Sequence, residues 1–241
     1  MTTGGASLVG QWHRRLAYAF RRHGLLGSVW LAAYNLRRLT LRRRAGSVED
    51  SFDKRFGTNT AAIREIGSLE IAASPSAIYA GRYEASNVEW IAKPLREIEQ
   101  DLSQATFIDF GSGKGRALLV AAGYPFKEVI GVEFSRELHE VSLGNIARFP
   151  KSAMRAGGIR SVCEDAGSFD LPRTNLVCYF YDPFGPPIMR RVLTRLMAHA
   201  KNGFDVKVIY INPHHRAIFE ETGQFSILTE SETMLVMATR A

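Results

Sequence analysis

Several features that define other protein classes are scarce or missing. The 241 residues include only two cysteines, Cys163 and Cys178, which excludes a disulfide framework and favours a reducing compartment. No stretch reaches the roughly 20 consecutive apolar residues of a membrane-spanning helix. Hydrophobic residues make up 46% and charged residues 23% of the chain, so disordered, collagenous and coiled-coil classes are excluded as well. We therefore expect a cytoplasmic globular protein with a sizeable core.

Acidic residues are absent from the first 48 positions, which carry nine arginines and no lysine. The other 193 residues hold 22 basic and 24 acidic side chains, so the net charge of +7 belongs to the N-terminus. Apolar residues at helical spacing predict two short helices there, over about 8–22 and 28–44. This basic helical arm, 1–48, is interpreted as a structural cap, an organelle-targeting segment, or a contact to nucleic acid or an anionic membrane surface, where the protein would be peripheral.

A helical lead-in and cap is expected over residues 49–103. Its first part, 52–60, is rich in turn-forming residues and carries Phe52 and Phe56. Further on, Ser86 stands three residues before Glu89, which predicts a capping box at a helix start. Five apolar residues spaced by three or four then predict a helix that ends near Ser103: Val88, Ile91, Leu95, Ile98 and Leu102.

Strand and helix patterns alternate over residues 104–241, the predicted main domain. Strands are predicted at 106–110, 128–134, 159–163, 175–181, 206–211, 225–228 and 234–238, and helices at 115–122, 135–149, 187–201 and 214–222. This alternation is typical of an α/β, doubly wound, mainly parallel seven-stranded sheet with helices on both faces. The last two strands are so close in sequence that we expect a hairpin, which makes one strand antiparallel.

A glycine-rich loop follows the first predicted strand, in the sequence FIDFGSGKGR at 107–116. It does not match the P-loop pattern G-x-x-x-x-G-K-S/T, because Gly115 follows Lys114 and Ile108 replaces the first glycine. It does not match the dinucleotide pattern G-x-G-x-x-G either, since the third glycine comes one residue early. The remaining pattern, D-x-G-x-G-x-G after a strand, resembles the cofactor loop of class I S-adenosylmethionine-dependent methyltransferases.

The chemistry of this loop favours a cationic ligand independently of that resemblance. Without a Cβ, Gly111 and Gly113 can adopt positive φ and let a ligand approach the backbone, while Gly115 allows the next helix to pack closely on the sheet. The carboxylate of Asp109 at the strand end would repel a diphosphate. S-adenosyl-L-methionine carries a sulfonium and an ammonium group, so it suits this loop better than NAD or ATP. We interpret Lys114 and Arg116 as solvated loop charges.

The resemblance covers about residues 48–241 and points to a bacterial group of methyltransferases that is distantly similar to seven-strand protein-lysine methyltransferases. It implies a Rossmann-like fold in which Tyr83 and Ser86 lie over the cofactor. It also implies that Glu133, at the end of the second strand, accepts hydrogen bonds from the ribose hydroxyls. By the same resemblance Asp165 accepts a hydrogen bond from the adenine amino group, with the adjacent Glu164 as the alternative contact.

An acceptor site is predicted after the fourth strand. Asp182-Pro183-Phe184 resembles the D/N-P-P-Y/F motif of methyltransferases that act on amino groups, with one proline fewer. Asp182 and Phe184 are therefore the expected catalytic residues, and methylation of a nitrogen in a protein side chain such as lysine is the expected activity. The alternatives are a nucleic-acid methyltransferase and a catalytically idle S-adenosylmethionine-binding module anchored by its basic arm.

The remaining chemically active side chains are given structural interpretations. His214 and His215 have no third ligand at metal spacing, so we expect a helix-start loop and no metal. Cys163 and Cys178 fall on predicted strands without a C-x-x-C partner and are expected to be buried thiols.

Overall fold

The computed structural model describes residues 51–61 and 84–240, and within them one mixed seven-stranded sheet. The strands are β1 (Ala105–Phe110), β2 (Glu128–Glu133), β3 (Ile159–Cys163), β4 (Asn175–Tyr181), β5 (Val206–Ile211), β6 (Phe225–Glu230) and β7 (Met234–Thr239). Their order in the sheet is β3-β2-β1-β4-β5-β7-β6. The predicted arm, 1–48, and Tyr83 lie outside the described residues, and the domain division stays a prediction.

The topology confirms the predicted fold class. Strands β1 to β5 pair in parallel, whereas β7 is antiparallel to both β5 and β6. Because β1 pairs with β2 on one side and with β4 on the other, the strand order reverses at β1. Ligands of doubly wound sheets bind at such a switch point, beyond the carboxyl ends of the strands. This places any site at the ends of β1, β2, β4 and β5.

Six α-helices accompany the sheet in the described residues. They are α1 (Ser51–Phe56), α2 (Val88–Glu97), α3 (Arg116–Ala121), α4 (Arg136–Arg148), α5 (Pro186–Lys201) and α6 (Arg216–Thr222). None of these helices is long and apolar enough to cross a membrane. Helix α1 occupies the stretch that the sequence indicated as turns, and its aromatic rings explain the helix, since Phe56 packs on Phe149 with ring centroids 4.9 Å apart.

The start of α2 corrects one prediction. Asn87, and not Ser86, caps the helix, because the Asn87 side chain accepts a hydrogen bond from the backbone N–H of Glu89 at 2.9 Å. The helix also ends at Glu97, about six residues before the predicted end near Ser103, and Ile98 adopts an extended conformation. Ser86 is buried and does not cap the helix, and its hydroxyl lies near Tyr179 of β4.

Two apolar layers cover the two faces of the sheet. On one face Ile108 and Phe110 pack with residues of α5 and α6, and on the other Phe107 packs with residues of α2 and α3. The alternation along β1 follows from the period of two of a strand. Strand β4 (NLVCYFY) is a continuous apolar run because it is buried on both faces, as expected for a central parallel strand.

Candidate functional site

The glycine loop connects β1 to α3 and is fastened to β2. The backbone N–H groups of Gly111 and Ser112 both donate to the carbonyl of Val132, at 2.8 and 3.1 Å. Gly111, Gly113 and Gly115 have φ values of 89°, 52° and 86°, a region that residues with a Cβ rarely adopt. The loop therefore has the open, ligand-facing backbone that its glycines predict.

Gly111 also lets the turn that follows β4 contact the glycine loop. A Cβ built on Gly111 would lie 2.6 Å from the Cβ of Pro183, closer than two such carbons can approach. The turn that follows β4 therefore rests directly on the glycine loop. Only glycine fits at this position, for steric reasons in addition to its positive φ.

Glu133 lies at the end of β2 with its carboxylate turned onto the loop. One oxygen accepts from the N–H of Gly113 and the other from the N–H of Ser135, both at 2.8 Å. Burial raises the pKa of this carboxyl to about 7, although the hydrogen bonds from Ser135 and Gly113 act in the opposite direction. The backbone N–H of Phe134 also acts to lower this pKa, so three backbone donors surround a carboxylate that has about four acceptor positions.

Asp109 is a second buried acid in the same place. Burial raises the pKa of Asp109 well above its ordinary value, and the charge of Glu133 adds to the increase. Two acids that are both hard to ionise indicate a site in which negative charge lacks compensation. A cationic ligand would supply that compensation, so the two carboxyl groups fit the sulfonium and ammonium of S-adenosylmethionine better than they fit a phosphate.

Tyr179 lies beside these two acids, and no sequence motif singles it out. It pairs with Asp109 across β1 and β4 and is almost fully buried. Burial raises its pKa strongly, while the nearby Ser86 hydroxyl lowers it and the charge of Asp109 raises it further. Ser86 is therefore brought to the Asp109 end of the site, the region in which the sequence predicts a cofactor contact.

A small pocket of about 30 Å³ opens beside the loop. Its walls come from the segments that follow β1 to β4: Gly111, Phe134, Glu164, Asp165 and Phe184 are among the residues that line it. The Asp165 carboxylate accepts from the N–H of Gly167 at 2.7 Å and pairs with Arg191 at 3.2 Å. The lining is mostly apolar with one fixed carboxylate, which matches the edge of a base that carries an amino group, but at about 30 Å³ the pocket is much smaller than the roughly 300 Å³ of a complete ligand site.

The residues predicted to form the acceptor site follow β4, and a histidine that follows β5 lies against them. Asp182 is 5% exposed and has a positive φ of 40°, and its carboxylate lies 3.0 Å from Nδ1 of His214. Phe184 is buried and meets Phe180 edge-on, with ring centroids 6.3 Å apart. Phe184 therefore belongs to the core as well as to the pocket wall.

The loop charges contradict the sequence interpretation, because Lys114 and Arg116 are 1% and 7% exposed and not solvated. Nε of Arg116 donates to the Thr60 hydroxyl at 2.7 Å, and a second guanidinium nitrogen lies 3.6 Å from Asp53. The carbonyl of Lys114 accepts from the side-chain amide of Asn145 at 2.9 Å. These partners are 31 to 63 positions away in sequence, so local sequence patterns could not reveal them.

Residues 51–61 form a docked segment whose centre is Asp53. Its carboxylate accepts from the hydroxyls of Thr58 and Thr60 and from the N–H groups of Thr60 and Ala61, all at 2.6–2.7 Å. Burial acts to raise the pKa of Asp53, but these hydrogen bonds outweigh it and lower the pKa. Asn145 adds a further bond, accepting from the N–H of Asn59 at 2.8 Å. The docked segment thus supports the glycine loop from outside.

The two thiols differ in burial. Cys178 is buried as predicted, and burial raises its pKa. Cys163 is exposed, which corrects the prediction, because it is the last residue of the edge strand β3. Within the described residues no group of three His, Cys, Asp or Glu side chains could hold a metal ion.

Comparisons with known proteins add a fold assignment. Neither the protein-family models nor the curated proteins contain a match. Among solved structures, a glycopeptide N-methyltransferase complexed with S-adenosyl-L-homocysteine matches with a TM-score of 0.50 and 11% identity, covering 65% of this chain and 91% of that one. The chain therefore has the Rossmann-like fold of class I S-adenosylmethionine-dependent methyltransferases, and the resemblance inferred from the sequence is confirmed at the level of the fold.

More distant solved structures are also methyltransferases. A ribosomal-protein methylase from Lactobacillus delbrueckii subsp. bulgaricus has a TM-score of 0.45 and 16% identity over 62% of this chain and 76% of its own. A putative RNA methyltransferase from Pyrococcus horikoshii has the same TM-score and 17% identity over 73% of this chain and 94% of its own. Since these names include both protein and RNA substrates, they do not identify an acceptor for this chain.

Proposed function

We propose that this protein is an S-adenosylmethionine-dependent methyltransferase that methylates a nitrogen atom, with a protein side chain such as lysine as the acceptor. The observation that carries the proposal is the pair of buried acids, Asp109 and Glu133, beside a loop with three positive-φ glycines. A loop of this kind without acids would suit a phosphate. With them, it suits a nucleoside that carries positive charge.

Each remaining part of the ligand has a suitable partner. The carboxylate oxygens of Glu133 suit the two ribose hydroxyls. The apolar lining of the small pocket suits an edge of the adenine, with Asp165 beside it for the amino group and Glu164 as the alternative. The methionine ammonium and sulfonium belong at the Asp109 end, where Ser86 also lies.

Methyl transfer is a displacement at carbon, and the cofactor supplies an activated methyl group on positively charged sulfur. The acceptor nitrogen forms a bond to the methyl carbon while the carbon–sulfur bond breaks, and sulfur keeps the electron pair as a neutral thioether. The chain contributes alignment of acceptor, methyl and sulfur. Asp182 contributes negative charge at the acceptor end, which stabilises the positive charge that develops on nitrogen.

The nitrogen acceptor is favoured by the buried carboxylate of Asp182 at the expected acceptor position. A ground-state ammonium or amine is attracted to such a charge, whereas an acidic acceptor would be repelled. The turn differs from the D/N-P-P-Y/F motif by one proline, and Pro183 uses its position to pack on Gly111. The basic arm leaves nucleic acid as the competing acceptor.

Transfer of radiolabelled methyl groups tests this proposal. Full-length protein is incubated with labelled S-adenosylmethionine and a cell lysate separated into protein, nucleic acid and small-molecule fractions. We expect label in protein, retained after nuclease treatment and lost after protease treatment. Label in nucleic acid would support the alternative acceptor. Binding of S-adenosylmethionine without label in any fraction would indicate a catalytically idle binding module.

A further inference from the structure

The ends of β4 and β5 repeat the same short sequence, an Asx residue followed by proline. Asp182-Pro183 follows β4, and Asn212-Pro213 follows β5. The two strands are parallel, and Tyr181 pairs with Ile211 in their shared register. The two Asx residues are therefore neighbours at the edge of the sheet where the acceptor is expected.

Both Asx residues have an unusual backbone conformation. Asp182 and Asn212 have φ values of 40° and 49°, and they are the two non-glycine residues with positive φ in the described part of the chain. A following proline disfavours helical conformations of the residue before it, so two strained residues lie side by side. Backbone strain of this kind persists where the surrounding structure enforces it, and it occurs preferentially in active sites.

The two turns have a common consequence, which is the position of His214. The backbone N–H of His214 donates to the carbonyl of Asn212 at 2.7 Å, which fixes the direction in which the chain leaves β5. Nδ1 of His214 then lies 3.0 Å from a carboxylate oxygen of Asp182. The His214 side chain is 30% exposed and that of Asp182 is 7% exposed, so His214 is the more accessible member of the pair.

We propose that His214 is a catalytic residue that takes the proton from the methyl acceptor, and that Asp182 is the positioning residue that orients its ring. The proposal rests on the proposed methyltransferase function and assigns the proton acceptor in it. With Nδ1 directed at the carboxylate, the neutral ring carries its proton on Nδ1 and presents an unprotonated Nε2 on the opposite side. An acceptor that approaches the sheet edge from solvent meets this Nε2 before it meets Asp182.

The bonds and charges of this step balance. The lone pair of the acceptor nitrogen forms the new bond to the methyl carbon, and the carbon–sulfur bond breaks with its electrons on sulfur. The N–H proton of the acceptor moves to Nε2 of His214, and the imidazolium that results is stabilised by the carboxylate of Asp182. The acceptor class that this requires is a nitrogen that carries a removable proton, such as a primary amine.

Nitrogen NMR of the histidine ring tests the pairing without any acceptor. Spectra of full-length protein labelled at its histidine nitrogens are recorded at basic pH, and the signals that are lost in His214→Gln are assigned to this ring. We expect the Nδ1–H tautomer, and a change to the Nε2–H tautomer in Asp182→Asn, because an amide can donate to Nδ1 and thereby reverse the tautomer. An Nε2–H tautomer in the unmodified protein would overturn the proposal, and so would an unchanged tautomer in a folded Asp182→Asn variant.

Turnover separates a catalytic role from a structural one. For His214→Gln we expect methyl transfer to the labelled protein fraction to fall roughly 100-fold or more, the usual contribution of a general base, with the affinity for S-adenosylhomocysteine unchanged within twofold. His215→Gln, one residue further along, is the matched control and keeps its turnover. Equal losses in both variants, or full activity in His214→Gln, would overturn the base role.

Failure of the proposed function gives a different result. If titration shows no binding of S-adenosylhomocysteine to the unmodified protein, the cofactor assignment fails. The dependence of the His214 tautomer on Asp182 would still be seen by NMR. If the cofactor product binds but no lysate fraction takes label, the acceptor chemistry fails and the base role with it. If label transfer is normal and independent of His214, the proposed function stands and this inference alone is wrong.

Discussion

The two halves of one sheet edge are constructed differently. At the ends of β1 and β2 the site consists of backbone and buried carboxyl groups, and Glu133 and Asp109 are 3% and 4% exposed. At the ends of β4 and β5 it consists of two strained Asx-Pro turns and a histidine that reaches solvent. This difference is what a cofactor of fixed shape and an acceptor that arrives from outside would each require.

The halves also differ in what supports them. The docked segment, 51–61, reinforces the cofactor half through Arg116 and through Asn145, which bonds to both Asn59 and Lys114. The acceptor half depends instead on the contact between Pro183 and Gly111 and on the His214–Asp182 pair. Changes in the first half should therefore affect binding and stability together, and changes in the second should affect turnover.

The largest effect is expected where the halves touch. In Gly111→Val, the new side chain would collide with Pro183. The position also requires a positive φ, which a branched residue strongly disfavours. We expect no measurable binding of S-adenosylhomocysteine by calorimetry. Gly203→Val is the matched control, since Gly203 has a φ of 87° with nothing within 4 Å of its added Cβ. If both variants bind equally well, the contact between the halves does not shape the site.

The second-largest effect is expected for Arg116, which anchors the docked segment through Thr60 and Asp53. Arg116→Met removes the guanidinium from Thr60 and from the half-buried Asp53, which keeps its hydrogen bonds within the docked segment, and the loss costs about 1–3 kcal/mol of unfolding free energy. Arg96→Met is the control, because Arg96 pairs with Glu89 in solvent, with side-chain exposures of 54% and 67%. Such a pair contributes under about 1 kcal/mol. Urea unfolding that gives equal losses for both would show that the docked segment does not support the cofactor half.

A smaller effect is expected for Glu133. Glu133→Ala removes the acceptors assigned to the ribose hydroxyls, which should weaken S-adenosylhomocysteine binding by roughly 1.5–3 kcal/mol. Titration of the exposed Glu140→Ala variant, on α4, provides the comparison at an equal change of net charge. An unchanged dissociation constant for Glu133→Ala would remove this residue from the cofactor site.

The smallest effect concerns how the stability of the protein without ligand depends on pH. Because the pKa of Glu133 rises from an ordinary 4.5 to about 7 on folding, the folded state binds more protons between these values, and stability must fall as pH rises through this window. Glu133→Gln should therefore be more stable than the unmodified protein at pH 8, by roughly 1–3 kcal/mol, with little difference at pH 4. Urea unfolding at both pH values measures this. The pKa of Asp109 is raised as well. The stability of Glu133→Gln should therefore still fall as pH rises, but less steeply than that of the unmodified protein.

Much of the fold follows from the sequence because a buried parallel sheet has a strong signature. Strand β4 was predicted with its observed ends, Asn175 and Tyr181, since a strand buried on both faces is one continuous apolar run between polar turns. The glycine loop was likewise predictable, because its function depends on residues that are adjacent in the chain.

The parts that could not be predicted depend on long-range contacts. The buried Arg116 donates to Thr60, which is 56 positions away. The residues next to Arg116 in sequence do not indicate such a partner. The His214–Asp182 pair spans 32 positions, and histidine after a strand has an ordinary interpretation as a helix start. One signal was available, which is the repetition of Asx-Pro at the ends of two strands predicted to be neighbours.

The central claim is that the switch point of this sheet binds S-adenosylmethionine through its two buried acids. Calorimetric titration of the full-length protein with S-adenosylmethionine and, separately, with NAD tests it most directly. We expect saturable binding of one S-adenosylmethionine per chain, weakened in Glu133→Ala, and no binding of NAD. Binding of NAD without binding of S-adenosylmethionine would contradict it.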